Sequence, residues 1–190
     1  MGSEMCIRDR INAGSPNLVR DNSYGSNVRD LFVCLTRAQI DDSVKINNLN
    51  IDSYKEQDLL HSFAYVNPSH EFFDGSLIQN ICLFEPSKGK RTALFWCYLL
   101  DIDTKIKGLP NGYDTQLGSL SPTGLSTDDK QLLHIVSALS RKPQVLMIDL
   151  NDCSFGKAFV DGLEKIIKRT KGKSTLLFSG NGRILEKLCS

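Results

Sequence analysis

Residues 109–150 read LPNGYDTQLGSLSPTGLSTDDKQLLHIVSALSRKPQVLMIDL. A glycine-bearing loop leads to Ser126, whose hydroxyl suits a helix N-cap, and Asp128 and Asp129 follow in the first turn, where the helix dipole favours negative charge. Leu132, Ile135, Val136 and Leu139 then recur at i, i+3, i+4 and i+7, the spacing of an amphipathic helix. Lys142-Pro143 ends that helix, because the residue before a proline is driven out of the α region. Val145-Leu146-Met147-Ile148 is a continuous apolar run, the pattern of a strand buried on both faces of a parallel sheet. It closes on Asp149, at the carboxyl end where open α/β sheets place their ligands. This stretch alone predicts an α/β fold: a mostly parallel sheet with flanking helices.

Working outward, Phe159, Leu163, Ile166 and Ile167 define the inward face of a second helix, which ends at Lys171-Gly172. Ser174-Thr-Leu-Leu-Phe-Ser179 is another buried strand, expected in the same sheet as the run ending at Asp149. Upstream, residues 87–107 are helical in pattern, with Leu94, Phe95, Tyr98 and Leu99 on one side. Residues 62–66 predict a short strand, and 67–76, NPSHEFFDGS, the loop after it. Residues 41–51, DDSVKINNLNI, predict a hairpin about an Asn-Asn turn, within a small antiparallel piece at about 43–66. Residues 15–37 predict a short strand, a small-residue loop and a helix with Leu31, Phe32 and Leu35 inward. Residues 1–10, MGSEMCIRDR, fit no element and read as a non-native leader.

The chain's 190 residues, 41% apolar and 24% charged, suit one folded domain with a sizeable core. A net charge of +1 gives no electrostatic case for nucleic acid or anionic lipid. The six cysteines lack C-x-x-C spacing, which predicts reduced thiols in a cytosolic setting. His61, His70 and His134 show no ligand spacing and receive no role.

The order LP-x-GYDT (109–115), Leu125-Ser126, helix, basic-Pro pair, apolar strand and Asp149 resembles the nucleotide-binding domain of ABC transporters, most closely the exporter and type I secretion branch. Tyr65, Val66, Phe73, Gly75, Ser76 and Asn80 extend the resemblance upstream. It implies a P-loop NTPase-like fold with an inserted helical subdomain at about 76–124, truncated at both ends. It also implies ATP and Mg²⁺ as cofactors. The implied partners are a transmembrane domain and a second nucleotide-binding domain, at the cytoplasmic face of the membrane.

The same resemblance exposes departures. Thr127-Asp128-Asp129 stands where the family's signature has Gly-Gly-Gln, Leu150 at the general-base Glu, Pro68 at the metal-approaching Gln and Gly180 at the phosphate-sensing His. Gly156 stands where the turn after the strand carries Asp. On the phosphate loop, Asp21–Val28 keeps Ser23 and Gly25, but puts Ser26, Asn27 and Val28 at the last Gly, the Lys and the Ser/Thr. Asp149 has two readings, a metal ligand or a strand-end acceptor for the next loop; Ser126 is either a signature serine or an ordinary N-cap. If the two aspartates faced a phosphate at about 5 Å, each unit-charge pair would cost on the order of 3 kcal/mol at an effective dielectric near 20. The expected function is an exporter-type nucleotide-binding domain with little or no ATP hydrolysis of its own. A non-catalytic regulatory scaffold or a decayed gene product is the alternative, and hydrolysis through compensating residues the enzymatic one.

Overall fold

The computed structural model describes residues 14–19, 28–35, 45–46, 48–83, 85–117, 124–180 and 183–189. The chain divides into two compact units, one drawn from residues 1–65, 143–151 and 170–190, the other from 66–142 and 152–169.

The first unit is built on a four-stranded sheet. Strands β1 (Pro16–Val19), β4 (Phe63–Val66), β7 (Val145–Asp149) and β8 (Thr175–Ser179) lie in the order β1-β8-β7-β4. The β7 and β8 runs lie in one sheet, as expected, and are parallel neighbours there, paired from Val145↔Thr175 to Asp149↔Ser179. β1 pairs in parallel with the other side of β8, ending at Val19↔Ser179. Val19, Ser179 and Asp149 therefore stand level at the carboxyl ends. Helix α1 (Val28–Leu35) packs on β7 and β8, and Leu35, Ile51, Leu59, Met147, Leu177 and Val19 form one buried cluster. The hairpin consists of β2 (Lys45–Ile46) and β3 (Leu49–Asn50), with Asn48 at φ 66°, a conformation asparagine tolerates. The antiparallel piece ends there, short of the predicted 66. Ile51–Ser53 is a 3-10 turn, α2 (Glu56–Ser62) follows, and β4 joins the main sheet instead.

The second unit is mainly helical: α3 (Leu77–Ile81), α4 (Pro86–Leu99), α5 (Asp103–Lys107), α6 (Thr127–Ser140) and α7 (Lys157–Thr170). The short strands β5 (Gly75–Ser76) and β6 (Gln116–Leu117) pair antiparallel beside them. On α6, Leu132, Ile135, Val136 and Leu139 are all buried, as their spacing predicts. On α4 the side bearing Leu94, Phe95, Tyr98 and Leu99 is the more exposed one. Phe95 and Tyr98 are 41% and 75% exposed, while Ala93, Trp96, Cys97 and Leu100 are buried. Both sets obey the helical period, so periodicity alone could not choose between them. In α7, Phe159, Leu163 and Ile166 are fully buried and Ile167 partly so. Among the described residues no helix is long and apolar enough to cross a membrane.

Candidate functional site

At the carboxyl end of β7 the Asp149 side chain turns back into the first unit. Oδ1 accepts from Ser179 Oγ at 3.1 Å, from Asn151 Nδ2 at 2.9 Å and from Asn151 N at 3.3 Å, while Oδ2 accepts from Tyr65 Oη at 3.0 Å. Asp149 is 5% exposed and Ser179 1%. Asn151, in the next loop, makes the contact that the strand-end reading expects. Tyr65, Asn151 and Ser179 each donate to the carboxylate. Among the described residues no group of three His, Cys, Asp or Glu side chains could hold a metal.

Leu150 and Gly180 are brought together beside Asp149. Leu150 N donates to Ser179 O at 2.8 Å, which continues the ladder by one residue, and the Leu150 side chain is 1% exposed. Gly180 adopts φ 147°, and a Cβ there would lie 3.0 Å from Leu185 Cδ1 and 3.3 Å from Leu150 Cβ. Position 180 thus favours glycine by backbone and is filled by leucine around it. A histidine would meet both obstacles.

In the second unit Asn67-Pro68 forms a turn. Asn67 Oδ1 accepts from Ser69 N and Oγ at 2.9 and 2.6 Å, and His70 N donates to Asn67 O at 3.3 Å. Asn at the first and Pro at the second position are the residues such a turn selects. Pro68 is buried and its ring has no polar group to offer. The loop beyond is stacked on α6, with Phe72 parallel to His134 at 4.0 Å between ring centroids. Burial pushes the His134 pKa down to about 4, helped by the charge of His70 and opposed by a hydrogen bond with His70's backbone.

Ser126 caps α6 in a reciprocal capping box: Asp129 N donates to Ser126 Oγ at 3.2 Å, and Ser126 N to Asp129 Oδ2 at 3.1 Å. The Ser126 hydroxyl also donates to Oδ2 at 2.7 Å, and Lys105 Nζ lies 2.6 Å from Oδ1. Burial would raise the Asp129 pKa, but the hydrogen bonds from Lys105 and Ser126 outweigh it and hold it below the ordinary carboxylate value. Asp128 accepts from Phe159 N at 3.2 Å. Both carboxylates are therefore engaged within the second unit, and Lys105 offsets the charge of Asp129. Lys105 is the participant the sequence did not reveal. Ser23, Gly25, Ser26 and Asn27 lie outside the described residues; Val28 opens α1.

No family model matches the chain. It is 27% identical over 140 residues, 73% of its length, to multidrug resistance protein pgp-1 of Caenorhabditis elegans. It is 31% identical over 66% of its length to the uncharacterized ABC transporter ATP-binding protein YfiB of Bacillus subtilis, and 32% identical over 56% to the colicin V secretion/processing ATP-binding protein CvaB of Escherichia coli. These similarities support an ABC transporter ATP-binding domain. It spans 10% of the length of pgp-1, 22% of YfiB and 15% of CvaB. ABC transporter ATP-binding domains use ATP and Mg²⁺.

Proposed function

We propose that the chain serves as the nucleotide-binding domain of an ABC exporter and hydrolyses little or no ATP by itself. The observation that carries this reading is the packing of buried Leu150 and Leu185 about Gly180, next to an Asp149 that accepts from Tyr65 and Ser179. A general base near the attacking water must be a group that can accept a proton. Leucine cannot. The exporter frame makes a transmembrane domain and a second nucleotide-binding domain the partners, at the cytoplasmic face of a membrane. With an intact second domain, one composite site would pair this chain's Asn27 loop with a good signature, and the other a good loop with Ser126-Thr127-Asp128-Asp129, so neither would be complete. Purified chain given Mg²⁺ and ATP is expected to show no turnover above background. Turnover abolished by Asp149→Asn would overturn the proposal. Two tight ATP sites in the mixed dimer would overturn the reading of the pair.

A further inference from the structure

Helix α7 begins on a glycine. The carbonyl of Gly156 accepts from Val160 N at 3.1 Å, which puts Gly156 at the N-cap, where a Ser, Asp or Asn side chain ordinarily accepts one of the first exposed N–H groups. Glycine has no side chain to offer. The N–H of Phe159 instead meets Oδ2 of Asp128 at 3.2 Å, from 31 residues earlier in the chain. We propose that Asp128 is the cap of α7, seated in a notch that only a glycine at 156 leaves open, so that the start of α6 is committed to fastening this unit and not to meeting a phosphate. The inference rests on the reading that residues 125–129 occupy the family's signature position.

The notch is defined by distance. A Cβ at position 156 would lie 2.2 Å from both carboxylate oxygens of Asp128 and 2.5 Å from its Cγ, so any side chain there must expel the carboxylate. The backbone is no obstacle, since Gly156 is not among the glycines with positive φ. The rest of the junction is equally close. Gln131, its amide oriented by the hydrogen-bond network, donates to Ser154 O and accepts from Ser154 N, both at 3.0 Å. A Cβ on Gly162 would come within 2.6 Å of Leu132. Asp128, Gln131 and Leu132 of α6 thus meet α7 and the segment before it at successive points. The exchange against the family pattern is reciprocal: aspartate replaces glycine at 128, and glycine replaces aspartate at 156.

Thermal unfolding of the full chain tests the pair. Asp128→Ala is expected to lower Tm by about 2–4 °C, the size of a lost cap in a chain of this length, and Gly156→Ala by at least as much. In the double variant, Gly156→Ala is expected to cost nothing further, because the carboxylate it expels is already gone and Gly→Ala restricts the unfolded chain. Asp128→Asn keeps the acceptor and is expected to hold Tm within about 1 °C of the parent, since exchanging one cap residue for another changes little. Asp128→Gly with Gly156→Asp, which moves the cap into α7 itself, is expected to recover most of the loss of either alone. Equal cost of Gly156→Ala in both backgrounds, or Asp128→Asn falling as far as Asp128→Ala, overturns the inference. ATP turnover by the parent chain would overturn the functional reading and leave this cycle unchanged.

Discussion

Asp149 in the first unit and Asp129 in the second are both buried carboxylates, 5% and 3% exposed, yet they are held by opposite means. Asp149 is surrounded by neutral donors from Tyr65, Asn151 and Ser179, with the residues that follow it in the fold, Leu150 and Gly180, apolar. Asp129 has a formal counter-charge, the half-exposed Lys105 at 2.6 Å, together with the cap serine. The difference teaches how to read a retained acid. Asp149 keeps the identity its family resemblance implies while serving as a knot that ties strand ends together. Asp129 has changed identity and become part of a helix cap.

The largest expected effect breaks the knot. Asp149→Ala leaves the Tyr65, Ser179 and Asn151 donors without their common acceptor, and urea unfolding should show a loss of about 3 kcal/mol, the cost of orphaning buried donors. Asp149→Asn retains one acceptor oxygen and should lose less. If Asp149→Ala cost no more than Asp129→Ala, the contrast between the two sites would fail.

A second test uses His134, a half-buried ring of the second unit. Burial depresses the pKa of His134 to about 4. The folded state therefore binds fewer protons than the unfolded state between that value and the ordinary histidine pKa near 6.5, so stability is full above that range and falls as pH drops through it. The loss should reach on the order of 2 kcal/mol. Guanidinium unfolding of His134→Phe, which keeps an aromatic ring against Phe72, should be flat over the same window. An unchanged pH dependence would remove His134 as its source.

Much of the fold was legible because its signals are local. The cap at Ser126, the period of Leu132, Ile135, Val136 and Leu139, and the apolar runs of β7 and β8 each lie within one element. The face of α4 was not, since apolar residues surround that helix and only tertiary packing chooses Trp96 and Cys97 over Phe95 and Tyr98. The site residues inferred from family positions were found by their spacing, but their partners were hidden by sequence distance. Tyr65 reaches Asp149 across 84 residues and Lys105 reaches Asp129 across 24. Two signals were available and local: Asn67-Pro68 is a turn pair, and a glycine directly before a helix leaves a cap to be supplied from elsewhere.

The smallest effect sharpens the comparison at Lys105. Its side chain is 52% exposed, so solvent screens the bond to Asp129 and its net worth stays in the range of exposed pairs, about 0.5–1 kcal/mol. Lys105→Gln should lower stability by that amount at low salt and by less at high ionic strength, where the parent's own bond is weakened. The acid side follows from the same pairing. Asp129's folded pKa lies below its unfolded one, so its contribution is present above the unfolded value, near 3.9, and is lost as pH falls through the folded value. Lys105→Gln removes a principal cause of that depression and should flatten the acid limb of the stability profile. The Tyr65, Asn151 and Ser179 donors to Asp149 are neutral, and stability lost through those bonds with Asp149→Asn should be nearly independent of salt. If salt changed the Asp149→Asn effect as strongly as the Lys105→Gln effect, the two carboxylates would be held by the same physics after all.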